Sequence, residues 1–151
     1  MQYCLDTGVL LRVFDRGDAA NPKIHQALRR LLDRGDSVVT TAQNIAEFWN
    51  VWTRPTSARG GYGQSAASAA RHVDFLLRFG QVLTESSASF TEWKHLVTKH
   101  SLQGVSVHDA RIVAVISAFG ISHLLTLNPA DFQRYTHLVV LTPATLLAQA
   151  N

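Results

Sequence analysis

The stretch YCLDTGVLLRVF, residues 3–14, sets a carboxylate, Asp6, between two apolar runs. An ionised carboxylate buried without a partner is strongly disfavoured or shifts its pKa, so an acid here needs a hydrogen-bond donor, water or a cation. The first run, QYCLD at 2–6, has the length and residue types of a short strand. Gly8 follows two residues after the acid, so Asp6 is expected where this strand gives way to a turn. In an α/β sheet, ligands gather outside the carboxyl ends of the strands, which makes this position a site address.

Working outward, further strand-like runs are SVVTT at 37–41, HLLTL at 123–127 and HLVVLT at 137–142, with QVLT at 81–84 a weaker fifth. Helical patterns lie between them. In 23–34, Ile24, Ala27, Leu28, Leu31 and Leu32 share one face before Gly35 closes the helix. In 43–53 the apolar stripe is Ile45, Phe48, Trp49 and Trp52, and Pro55 follows the end. Helices are also expected at 65–79, 88–100 and 108–119, the last apolar almost all round, while RPTSARGGYGQS at 54–65 reads as one long, mobile loop. This alternation points to a mostly parallel sheet flanked by helices. With 151 residues and 46% hydrophobic content, one domain spanning 1–151 is expected.

Lys and Arg exceed Asp and Glu by 14 − 11 = 3, and 11 of the basic residues are arginine. So mild a surplus permits a nucleic-acid partner without requiring one. Cys4 is the only cysteine, so no intrachain disulfide forms and secretion gains no support. The longest greasy stretch, IVAVISAFGI at 112–121, falls far short of the roughly 20 residues of a membrane span. A soluble, cytoplasmic protein is expected.

Three further acids invite comparison with Asp6. Asp131 follows HLLTL in the segment Asn128-Pro129-Ala130-Asp131-Phe132, where Asn suits an N-cap, Pro the first helical position and an acid the first turn. A purely structural role is open for it. Asp109 opens the apolar helix with Ile112, Val113 and Ile116 at i+3, i+4 and i+7, so its carboxylate heads the core-facing stripe; alone, it also reads as a cap. Glu47 lies nearly opposite the aromatic stripe, on a face with Asn44, Asn50 and Arg54, and alone reads as a solvated helix residue. If the four converge, they stay ionised only with a compensating cation. Oxygen ligands favour Mg²⁺ or Mn²⁺ over Zn²⁺, since none of the seven histidines has ligand spacing.

In order, LDTGVLLRV, QNIAEFWNV, VHDARIVA and LLTLNPADF resemble the acidic motifs of PIN-domain ribonucleases, a group that includes the VapC-type toxins of bacterial toxin–antitoxin pairs. The resemblance spans nearly the whole chain. It implies a three-layer α/β/α PIN-like fold with a central parallel sheet of four or five strands and an acidic metal site at the carboxyl edge. Asp6 matches the first acid, Glu47 the second and Asp109 the third; Asp131 is assigned as the fourth, with Asn128 and Thr126 as supporting residues. The chain departs from the family pattern in two places. Gly8 stands where relatives commonly carry Ser or Asn, and Asn128 stands where many carry the fourth acid.

What the resemblance implies chemically is RNA hydrolysis with one or two Mg²⁺ or Mn²⁺ ions, because a carboxylate cluster by itself repels a phosphodiester. Asp6 and Asp109 are then the principal ligands, Glu47 holds a second ion or orients water, and the products carry 5′-phosphate and 3′-hydroxyl ends. Arg54, Arg59 and Tyr62, in or beside the glycine-rich loop, are candidate RNA contacts. A small antitoxin protein and a homodimer are the implied partners. Two other enzymes are disfavoured: an aspartic protease, suggested by Asp6-Thr7-Gly8, is all-β, and a haloacid dehalogenase phosphatase needs an acid at position 8. A PIN-like module that binds RNA or protein without cutting stays open.

Overall fold

The computed structural model describes residues 1–149 of the chain. Five strands, β1 (Gln2–Leu5), β2 (Ser37–Thr41), β3 (Gln81–Leu83), β4 (His123–Leu125) and β5 (Val139–Leu141), form an all-parallel sheet in the order β3-β2-β1-β4-β5. Parallel neighbours cannot be joined by a hairpin, so helices or a helical turn carry the crossovers. These are α1 (Thr7–Phe14), α2 (Asn21–Asp33), α3 (Ala42–Thr53), α4 (Ala66–Phe79), α5 (Ser87–Lys99) and α6 (Ser106–Ala118), with a 3₁₀ turn at Pro129–Phe132 before β5 and α7 (Pro143–Ala148) after it.

Alternation along the strands builds the layers. Tyr3, Leu5, Val38, Leu125 and Leu141 join one core with buried side chains of α1–α4 and α7. Cys4, Val39, Leu83 and Leu124 point the other way, into a core with α5 and α6. Six buried residues of α6, from Ala110 to Ile116, make it the apolar centre of that second layer. The result is a three-layer α/β/α fold, as the motif pattern implied. Because the chain winds outward from β1 through β2 to β3 and then returns to β4 on β1's other side, the crossovers diverge at β1 and β4. The crevice at the carboxyl ends of those two strands is where such a fold offers a binding site.

Three local expectations need correction. The turn expected after Asp6 is helix α1, with Asp6 as its N-cap: the Thr7 backbone N–H donates to Asp6 Oδ1 at 2.7 Å. Val9, Leu10 and Leu11 bury this short helix despite Gly8 in its first turn, showing packing overriding local propensity. On α3, Asn44 belongs to the buried face with Phe48 and Trp52, and not to a wet face with Glu47; Trp49 is instead exposed. Asn44 closes a capping box with Thr41, which satisfies its Oδ1 and backbone N–H.

The loop at 54–65 is pinned rather than free. Backbone bonds run from Tyr62 N–H to Val51 O, Gly63 N–H to Arg54 O and Gln64 N–H to Trp52 O. The loop doubles back so closely on the end of α3 that a Cβ at Gly61 would lie 2.2 Å from Pro55 O. Only glycine fits there. Among the described residues, no helix is long and apolar enough to cross a membrane.

Candidate metal centre

Asp6 stands at the crevice because β1 ends there. Its backbone N–H donates to Leu125 O at 3.0 Å, continuing the β1–β4 ladder. The carboxylate is held on both oxygens: Oδ1 accepts from Thr7 N–H at 2.7 Å and, more weakly, from Asn44 Nδ2 at 3.5 Å, while Oδ2 accepts from Thr126 Oγ1 at 2.7 Å. Burial nevertheless raises its pKa above the ordinary aspartate value; the Thr126 and Thr7 hydrogen bonds oppose this, and the charges of Glu47 and Asp131 add to it. Its partners are therefore hydroxyl and amide donors, not a basic side chain.

Thr7 ties the second acid to the first. Its hydroxyl donates to Glu47 Oε2 at 2.7 Å and accepts from Asn44 Nδ2 at 3.0 Å. The other Glu47 oxygen, Oε1, accepts from Gln43 Nε2 at 2.8 Å, and the same amide donates to His108 O at 3.1 Å, linking α3 to the first turn of α6. Gln43 Oε1 is buried and has no donor. Gly8 brings no side chain to the site, and it is the neighbouring Thr7 that supplies a hydrogen bond to Glu47.

Asp109 lies in the first turn of α6, which begins at Ser106 and has no side-chain cap, so this acid does not cap its helix. Its pKa is pushed up to about 6, first by burial and then by the charges of Asp131, Asp6 and Glu47; Arg134 pulls it back. Asp131 sits exposed on the 3₁₀ turn, whose Asn128 makes no side-chain cap bond. The Asn128 backbone N–H instead donates to Thr126 Oγ1 at 3.1 Å, and Thr126, wholly buried, passes a hydrogen bond on to Asp6.

All four acids therefore share one electrostatic neighbourhood at the crevice. Among the described residues, however, no three His, Cys, Asp or Glu side chains form a ready-made metal cage. The donor set suits a hard cation in kind: neighbouring carboxylates whose charges help push Asp6 and Asp109 up, plus an orphaned amide oxygen at Gln43. Asp6, Asp109 and Glu47 could hold such an ion, and Asp131 is exposed beside them. Thr7, Gln43 and Asn44 were not foreseen. Their only signal was adjacency to Asp6 and Glu47, because polar residues at these positions read equally well as turn or surface.

The loop residues have work of their own. Arg54 Nη1 donates to Arg59 O at 2.9 Å, and the Tyr62 ring stacks on Trp52 at 5.0 Å. Arg54, Arg59 and Tyr62 line a cleft with Arg12, whose Nη1 donates to Gly8 O at 3.3 Å, one turn from Asp6.

Similar folds occur among solved toxin–antitoxin assemblies. A structure of VapBC2 from Rickettsia felis bound to a promoter DNA fragment matches with a TM-score of 0.68 at 14% identity, covering 94% of this chain and 98% of that one. VapBC-1 from nontypeable Haemophilus influenzae matches at 0.67 and 18%, covering 95% and 99%. VapC20 from Mycobacterium tuberculosis, described as a sarcin-ricin loop cleaving toxin, matches at 0.56 and 22%, covering 81% and 86%. Comparison with curated proteins finds no match. The PIN domain family model matches residues 3–138, most of the chain and all four acids, and the chain belongs to that family.

Proposed function

We infer that the chain is a divalent-metal-dependent ribonuclease and the toxin of a toxin–antitoxin pair. The observation that carries this reading is the set of acids at the β1–β4 crevice, where Asp6 and Asp109 are both pushed up by burial and by neighbouring carboxylates. Such a group gains most from a bound cation. A bound Mg²⁺ or Mn²⁺ would supply charge neutralisation between acids and phosphodiester and Lewis acidity at the scissile phosphate. Asp6 and Asp109 would hold it, Glu47 would orient the attacking water, and Asp131 would approach from the rim with Asn128 beside it.

The chain's own residues prepare this site. Thr7 and Thr126 fix both oxygens of Asp6, and Gln43 sets Glu47 against the start of α6. On the other flank, Arg12, Arg54 and Arg59 would take backbone phosphates, with Tyr62 beside them, since the guanidinium fork matches phosphate geometry. The sarcin-ricin loop named for the Mycobacterium tuberculosis relative supports RNA as the substrate class. Complexes among the similar structures support a small protein antitoxin. A largely apolar groove between α2 and α4, with Leu32, Phe75 and Phe79 exposed, offers it a surface. A homodimer is read by light scattering.

The test is cleavage of labelled RNA. Hydrolysis that requires Mn²⁺ or Mg²⁺, stops with EDTA and is lost in Asp6→Asn supports the ribonuclease. A second reading, a PIN module that binds without cutting, is favoured by the lack of a ready-made cage among the described residues; RNA bound but intact under every metal would select it.

A further inference from the structure

Between α5 and α6, Ser89, Phe90, Trp93 and Val115 line a half-open cavity of about 240 Å³, with the Glu85–Arg111 ion pair on its rim. The same ion pair walls the neighbouring cleft that contains Gln43, Glu47 and His108. The aromatic cavity and the cleft that holds Glu47 thus share one wall. The Phe90 and Trp93 rings lie 5.7 Å apart at 35°, and Phe90 is 61% exposed. Trp93 is not free to swing: its Nε1–H donates to Val107 O at 2.9 Å, two residues before Asp109. Arg111 commits Nε to Glu85, and its terminal nitrogens have no partner among the described residues.

We propose that this cavity receives an unpaired nucleobase flanking the scissile phosphate, stacked on Phe90 and Trp93, with Arg111 holding an adjoining backbone phosphate. The proposal rests on the ribonuclease reading and adds a subsite to it. The cavity is smaller than the clefts of roughly 300–1,000 Å³ that take whole drug-sized ligands, which suits one flat ring system and not a helix or strand of a partner. Aromatic faces accept any base, and single-stranded RNA is recognised by such stacking. The free edge of a guanidinium is a natural phosphate donor. The subsite therefore selects strandedness more than sequence, and a paired base cannot enter it.

The experiment measures binding of dye-labelled single-stranded RNA by anisotropy, in the Asp6→Asn chain so that the RNA stays intact. Phe90→Ala is expected to weaken binding roughly tenfold. A single abasic position in the RNA should weaken binding to the Asp6→Asn chain by a similar factor and leave the Phe90→Ala variant unaffected. Phe90 is exposed, so a melting curve should show the variant folded. RNA binding indifferent to both changes overturns the subsite while leaving the ribonuclease reading intact. A dimer that Phe90→Ala converts to monomer, with RNA affinity unchanged, also overturns it and makes the patch a contact between copies. If no RNA binds at all, the ribonuclease reading fails and takes the subsite with it.

Discussion

Asp6 and Asp109 face the same crevice but are held in opposite ways. Asp6 is fixed by the β1–β4 ladder and by donors on both carboxylate oxygens, whereas Asp109 sits in the first turn of a helix without a side-chain cap, and what acts on its carboxylate is burial and neighbouring charge. One acid is preset and the other is adjustable. With a divalent cation bound, Asp6 would hold it from a fixed strand end and Asp109 from a helix start, the supporting hydrogen bonds keeping the first of these ligands oriented.

The comparison can be broken most severely at the fixed acid. Asp6→Asn is expected to reduce RNA cleavage by more than roughly a hundredfold, beyond what loss of a supporting partner costs, while the metal-free chain melts at a higher temperature because a disfavoured buried charge is gone. Next is Thr126→Val, close to isosteric, which removes a donor to Asp6 and the acceptor of the Asn128 N–H. About a 10- to 100-fold loss in manganese affinity by calorimetry is expected, with about 1 kcal/mol of stability lost in urea denaturation.

The adjustable acid should show itself through pH. The folded-state pKa of Asp109, about 6, lies above its ordinary value of 3.8, so the fold holds this proton more tightly than the unfolded chain does. Its stabilising contribution is full below the ordinary value and is lost as pH rises through about 6. Without divalent ions, Asp109→Asn should therefore stabilise the chain at pH 7 by on the order of 1 kcal/mol, after discounting for the screening a half-exposed group receives, and should flatten the pH dependence in melts between the two values. Metal affinity runs the other way and should fall as the pH drops through 6. The smallest effect is expected at Gly8→Ser. A Cβ there meets Arg12 Nη1 at 3.8 Å and Leu127 Cδ1 at 3.9 Å, ordinary contacts, so a gain of roughly 0.5 kcal/mol from better helix propensity should appear as a slightly raised Tm.

Legibility in the sequence followed the strength of local pattern. SVVTT is a strand over all five of its residues, 37–41, and α3 runs within a residue of its expected bounds, because each pattern is long enough and has clear edges. Helix α1 was hidden: eight residues show little periodicity, and Thr7-Gly8 imitates a turn until the core claims Val9 to Leu11. The acids stood out because charge beside apolar runs needs explanation, and the structure gathers all four at one edge. Thr7, Gln43 and Asn44 did not stand out, since what they do is decided by residues far away in the chain, as in the bond from Thr7 to Glu47.

That last bond has a consequence for how the site responds to substitution. Thr7 binds Asp6 through its amide and Glu47 through its hydroxyl, so perturbing either acid shifts the hinge on which the other turns. The penalties for Asp6→Asn and Glu47→Gln should consequently fail to sum in a double-mutant cycle, with an interaction energy of roughly 0.5–3 kcal/mol, and Thr7→Val should erase that interdependence. Two carboxylates, one from a strand end and one from a helix, thus behave as a single thermodynamic unit.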